Sequence, residues 1–259
     1  MLQGWRPDQQ RHLAPNLDIP DRASRLAAPP QSDHHDVVTS SMPPKGEPAQ
    51  MALVELEIPL DIEPPPADVC RFLRDADDRI DVFQTDCRVP GFVPSDYQSG
   101  YRVLRAITET NHLRGRQFCE WGSGFGVITC LAAMLDLEAC GIEIERLLVD
   151  QARQLADDFG VAAEFSVGSF VPPGAEDRVH AGGNYAWMTT EGDQAYEELG
   201  LEPGDMDIIF AYPWPDEEGI VSDLFDRYAG AGALLVTYHG GDDFRLRRKK
   251  EKRSSRRGR

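Results

Sequence analysis

The sequence predicts an α/β fold: a mostly parallel sheet with helices on both faces. Three observations carry that expectation. From Gln117 onward, short apolar runs of strand length alternate with longer amphipathic stretches, and glycines cluster where the first run gives way to a helix. The alternation contains no internal repeat of roughly 20–50 residues. Of the 259 residues, 41% are hydrophobic, which is enough apolar material for one sizeable core.

The elements follow in chain order. Residues 1–50 hold 8 of the 19 prolines and no sustained apolar period, so burial cannot offset the cost of ordering them, and a disordered N-terminal extension is expected. Translation is expected to start at Met42 or Met51, and Asp33-His34-His35-Asp36 reads as a solvated polar run with no metal. Residues 51–115 are expected to form a helical N-terminal cap. Pro64-Pro65-Pro66 precedes a stretch from Ala67 to Phe83 with Val69, Phe72, Leu73, Ala76 and Ile80 at spacings of a helix face. Ser95 or Asp96 then caps a second helix running through Tyr97, Tyr101, Leu104, Ile107 and Thr108. Residues 116–244 form the main domain, with strands at Gln117–Trp121, Ala139–Ile144, Ala163–Val167, Asp207–Ala211 and Ala233–Tyr238. Its helices lie near Val127–Leu135, Arg146–Phe159 and Glu217–Tyr228.

Charge divides the chain unevenly. The 27 Lys+Arg and 44 Asp+Glu give −17 overall, yet Arg245–Arg259 holds 10 basic residues and one acid. Residues 245–259 are expected to be a mobile basic tail on an acidic body. Nucleic acid is expected to bind only through that tail, which has no aromatic residue after Phe244 on which a base could stack. Five cysteines without a C-x-x-C pair fit reduced thiols in a cytoplasmic protein. Apolar runs such as Val127–Leu135 are far below the roughly 18 residues of a membrane helix, so no membrane partner is expected. Oligomeric state is left open.

The most informative run is Glu120-Trp121-Gly122-Ser123-Gly124-Phe125-Gly126, at a strand-to-helix turn. Glycines there let the backbone turn tightly and approach a ligand, and ligands of open parallel sheets bind at this carboxyl edge. A dinucleotide fingerprint would need its third glycine at Val127, which disfavours a nicotinamide oxidoreductase. The pattern resembles the cofactor motif of class I S-adenosylmethionine-dependent methyltransferases, whose sheet is Rossmann-like. The resemblance implies S-adenosyl-L-methionine as cofactor. It also implies that Glu120 contacts the methionine end of the cofactor, with Gly122, Ser123, Gly124 and Gly126 passing beside it. Glu143, 21 residues after Gly122, matches the acid that binds both ribose hydroxyls, with Glu145 the alternative. Ser169 and Phe170 match the adenine-facing positions, with Ser169 in place of the usual acid. Phe92-Val93-Pro94-Ser95 resembles the segment that folds over the methionine moiety in the branch containing lysine methyltransferases.

Phe210-Ala211-Tyr212-Pro213-Trp214-Pro215 resembles the [N/D]-P-P-[Y/F/W] motif of amino-methylating members, with Ala211-Tyr212 replacing its first two residues. Tyr212 and Trp214 are the residues expected to shape the catalytic acceptor pocket. His239 and Asp242 read as a glycine-rich turn, with proton acceptance as the alternative. Residues 172–203, holding Gly182-Gly183, Tyr185, Trp187 and Tyr196, form an insertion that sits beside this edge. The family usually adds two strands after the fifth, so the sheet here is expected to be either shortened there or completed by Asp243–Arg247. The implied activity is methyl transfer, with a protein amine such as lysine as the leading acceptor. A non-catalytic cofactor-binding module, and methylation of nucleic acid or a small molecule, stay open.

Overall fold

The computed structural model describes residues 53–60, 63–110, 112–176, 179, 188–190 and 195–250. The readings made for residues 1–50, for Met42 and Met51, for the 33–36 polar run, for Gly182, Gly183, Tyr185 and Trp187, and for the tail beyond Lys250 lie outside these residues.

Seven strands form one sheet: β1 Leu53–Leu56, β2 Gln117–Trp121, β3 Glu138–Glu143, β4 Ala163–Val167, β5 Ile208–Ala211, β6 Leu234–Tyr238 and β7 Phe244–Lys249, in the spatial order β1-β7-β6-β5-β2-β3-β4. Strands β2 to β6 pair in parallel, while β7 is antiparallel to both β6 and β1. The strand order reverses between β2 and β5, which is where open α/β sheets bind ligands.

Two expectations are corrected here. Of the two alternatives for the sheet, completion by 243–247 holds and shortening does not, since that segment runs into β7; what is corrected is β1, which comes from the segment read as a purely helical cap. Residues 245–249 are not tail but the body of β7, because their alternate side chains find partners on both faces of the sheet. Leu246 is buried in the core, the Arg248 guanidinium donates to the His112 carbonyl (3.0 Å), and the buried Lys249 Nζ donates to the Ala229 carbonyl (2.6 Å). Such pairing is what allows a charged group inside a fold.

Six α-helices lying wholly among the described residues flank the sheet: α1 Ala67–Asp86, α2 Tyr97–Thr108, α3 Val127–Met134, α4 Arg146–Phe159, α5 Ala195–Leu199 and α6 Glu218–Tyr228. α1 buries Val69, Phe72, Ala76 and Ile80 on one stripe and runs three residues past Phe83, until Cys87 takes an extended backbone. The Asp96 carboxylate caps α2 by accepting the Ser99 N–H and hydroxyl, both at 2.9 Å. α3 is apolar around most of its circumference, as a helix enclosed between the sheet and α2 must be. Gly100 lets α2 approach it, since a Cβ there would lie 2.5 Å from the Ile128 side chain.

Strand alternation sorts the core into two layers. Phe118, Ala139, Phe165, Ile208, Phe210, Leu234 and Val236 face α1 to α4, whereas Cys119, Cys140, Ile142, Ile209 and Leu235 face α5 and α6. Each large buried side chain contributes about 1.5–3 kcal/mol through apolar burial. Among the described residues, no helix is long and apolar enough to cross a membrane.

Candidate functional site

The carboxyl end of β2 turns through Gly122, Ser123, Gly124, Phe125 and Gly126 into α3. All three glycines have left-handed φ, at +76°, +51° and +74°, which any other residue adopts only at a cost. Their surroundings differ. A Cβ on Gly126 would lie 2.6 Å from Ala152 and the Phe165 ring, so this glycine serves packing, and on Gly124 it would lie 2.8 Å from the Phe92 ring. Nothing stands within 4 Å of a Cβ on Gly122, so the loop faces open space there. The N–H groups of Gly122 and Ser123 both donate to the Ile142 carbonyl of β3 (2.9 and 3.0 Å), fixing the loop to the neighbouring strand.

By strand alternation Glu120 and Glu143 project to the same face, that of α3 and α4. One Glu120 oxygen accepts the Thr129 N–H (2.9 Å) and hydroxyl (2.6 Å), satisfying a donor of the first turn of α3. Burial pushes the Glu120 carboxyl up to about 8, against the pull of these two hydrogen bonds and with Glu143 adding repulsion. The two Glu143 oxygens accept the N–H groups of Gly124 (2.9 Å) and Glu145 (3.0 Å), while burial raises its carboxyl. A carboxylate offers about four lone-pair sites, so capacity for further donors survives. Ser123 is 5% exposed, its hydroxyl has no hydrogen-bond partner, and it packs against Gly141, where a Cβ would lie 2.7 Å from it.

The remaining candidates separate from this group. Phe170 stacks on Trp121 with centroids 5.3 Å apart and planes 9° apart, on the α5–α6 side of the sheet. The Ser169 hydroxyl donates to the Thr189 carbonyl (2.6 Å) and accepts the Val171 N–H (3.1 Å), which holds the loop after β4. Tyr212 packs on Tyr238, with centroids 4.6 Å apart, and Tyr238 stacks on Phe244 at 4.5 Å. Burial raises the Tyr212 hydroxyl, so it stays protonated. The half-buried Trp214 starts the turn into α6, its carbonyl accepting the Glu217 N–H (3.0 Å).

His239 has both ring nitrogens engaged, Nδ1 with Glu218 (3.0 Å) and Nε2 with the Thr237 hydroxyl (2.8 Å). The Thr237 hydroxyl also accepts from the Arg247 guanidinium (3.4 Å), and burial lowers the His239 pKa, which favours the neutral ring. With both ring nitrogens in hydrogen bonds, His239 orders the turn. Among the described residues no group of three or more His, Cys, Asp or Glu side chains forms a metal site.

The sequence reading passed over Thr129 and Tyr97. Thr129 had a signal, as the one hydroxyl in the apolar run 127–134, and it is fully buried. Tyr97 had none: only the fold brings this half-buried phenol near Glu120, whose charge, after desolvation, helps to raise it.

No protein-family model and no curated protein matches the chain. Solved structures similar to it include a methyltransferase from Geobacter sulfurreducens, 16% identical over 73% of this chain and 93% of that one, with TM-score 0.43. Others are an RNA methyltransferase from Salinibacter ruber in complex with S-adenosyl-L-homocysteine (17%, 74% and 95%, 0.38) and an O-methyltransferase from Bacillus cereus in complex with the same compound (15%, 68% and 67%, 0.43).

Proposed function

We propose that this chain is a class I methyltransferase that moves the methyl group of S-adenosyl-L-methionine onto an amine, a protein lysine being the leading candidate. One observation carries the reading. Three left-handed glycines leave β2 beside Glu143, whose carboxylate is held by the Gly124 N–H and keeps unused acceptor capacity at the end of the neighbouring strand. Gly122 leaves space on the ligand side, and the unpartnered Ser123 hydroxyl lies in the same loop.

In this reading Glu143 accepts the ribose hydroxyls, the 122–126 backbone lies along the methionine portion, and Glu120 contacts the methionine end. Phe170 offers the adenine only the ring face that Trp121 leaves free. When bound, the cofactor supplies an electrophilic methyl group, so the chain's task is to position the acceptor and exclude water. Tyr212, backed by Tyr238 and Phe244, provides an aromatic wall suited to an amine. The amine must lose a proton before attack, and both His239 nitrogens are already in hydrogen bonds.

Calorimetry with S-adenosylmethionine, S-adenosylhomocysteine and NAD tests the cofactor. Micromolar binding of the first two is expected, and preferential NAD binding would falsify the reading. Transfer of labelled methyl groups into a fractionated lysate then names the acceptor class. Label is expected in protein, and label confined to nucleic acid or small molecules overturns the amine.

A further inference from the structure

We propose that a groove at the outer end of the sheet docks a basic segment of another protein, one in which Lys or Arg side chains stand beside aliphatic ones. It deepens the methyl-transfer reading by giving the acceptor a binding surface, and it rests on that reading for its role, not for its existence. The groove, about 510 Å³, lies between the end of β1 with the chain that follows it and the start of β7. Leu56 stands opposite Leu246 and Phe244 opposite Tyr238, so the groove opens at the carboxyl end of β6, the edge at which the glycine loop leaves β2.

Its floor is apolar. Leu56, Ile58 and Phe244 line it and pack against the core, and Leu60 beside them is 56% exposed. Its rim carries the carboxylates Glu55, Glu57 and Asp242. Arg245, the one cation lining it among the described residues, is already committed to Glu218 (3.2 Å) and Asp243 (3.1 Å), with Glu55 also facing it. Arg247, which faces Glu55 from β7, is held by Ser222 (2.8 Å) and Thr237 (3.4 Å). Among the described residues a phosphate group would therefore meet carboxylates here and only guanidinium groups that are already committed, whereas a cationic side chain finds acceptors on the rim and aliphatic surface for its stem.

The groove is joined to the candidate acceptor wall by ring contacts through the buried Tyr238. Phe244 forms one side of it, Tyr238 stacks on Phe244, and Tyr212 packs on Tyr238, the centroids stepping by 4.5 and 4.6 Å. At longer range, residues 51–250 carry 15 Arg, 2 Lys and 37 acids, a field that draws a basic partner toward this edge.

Fluorescence anisotropy of the full chain with a labelled 12-residue peptide of alternating Lys and Leu tests the proposal, with its Glu-for-Lys counterpart and a 12-nucleotide RNA as competitors. The lysine peptide is expected to bind, and neither competitor to displace it. The variant E57K/D242K is expected to lose about ten-fold or more in affinity. The control D157K/E164K makes the same change of net charge away from the groove and is expected to lose less than about two-fold. Should charge reversal unfold the chain, E57Q/D242N is expected to weaken binding about three-fold while the melting temperature holds. Equal losses in groove and control variants, or stronger binding of RNA or of the acidic peptide, overturn the proposal. S-adenosylhomocysteine calorimetry on the same samples separates the two claims. Cofactor binding with an unaffected groove variant removes the docking site alone, and absent cofactor binding removes the methyl-transfer reading while anisotropy still reports on the groove.

Discussion

The two halves of the sheet's carboxyl edge are built by different physics. At β2 and β3, buried carboxylates hold backbone amides: Glu120 takes the Thr129 N–H, and Glu143 takes those of Gly124 and Glu145. At β5, β6 and β7 the edge is aromatic, with Tyr212, Tyr238 and Phe244 packed ring on ring. Hydrogen bonds to fixed amides are directional and hold one shape, as a site for one particular cofactor requires. Ring packing is less directional and adapts to the acceptor that arrives. The difference teaches that one edge can combine a specific pocket with a variable one.

Substitutions in the polar half are expected to do the most damage. Gly126→Val combines a left-handed backbone with overlap against Ala152 and Phe165, and is expected to cost about 3 kcal/mol or more in denaturant unfolding. Gly122→Ala meets open space and should cost only the backbone penalty, about 1–2 kcal/mol, while cofactor affinity measured by calorimetry falls. If both variants unfold equally, the distinction between a packing glycine and a ligand-facing one is lost.

Glu143→Gln keeps the shape but removes the charge, and is expected to weaken S-adenosylhomocysteine binding about ten- to hundred-fold. An unchanged affinity would take Glu143 out of the site. Tyr212→Phe, in the aromatic half, should leave that affinity within about two-fold and alter only turnover on the acceptor.

Glu120 gives the polar half a pH dependence. Its carboxyl, raised to about 8 by burial, keeps a proton that the unfolded chain releases near its ordinary value of about 4.3. The stabilisation is complete below the unfolded value and is lost as pH rises through about 8. Glu120→Gln is therefore expected to match the wild type in melting temperature near pH 5 and to exceed it by several degrees at pH 9. Glu143 titrates in the same sense, so a shallower slope should persist in the variant.

The smallest effect concerns the basic strand. Arg247→Ala removes hydrogen bonds to Ser222 and Thr237 and should cost about 1 kcal/mol, with RNA retention at physiological salt unchanged. A fall in retention without a fall in stability would return β7 to the nucleic-acid reading.

Legibility follows the same division. The glycine turn, Glu120 and Glu143 stand within 24 residues of sequence; period places the strand, the turn and the helix because these are local structures, and the resemblance to a known cofactor motif singles out the two acids. The Asp96 cap was equally plain, since a capping side chain bonds its own first turn. Of the aromatic half only Tyr212 was legible: its partners Tyr238 and Phe244 come from β6 and β7, and β1, which pairs with β7, lies almost two hundred residues before it.

The sequence by itself determined the parallel α/β core and the polar loop, because each element's periodicity and each glycine's φ are properties of a few consecutive residues. Only the tertiary structure decided that Leu53–Leu56 completes the sheet and that Arg245 to Lys249 are a strand rather than a tail. The same run of charge is solvated in one context and hydrogen-bonded in the other. What distinguishes them is whether distant carbonyls and carboxylates such as those of His112, Ala229 and Glu218 come within reach, and folding alone brings them there.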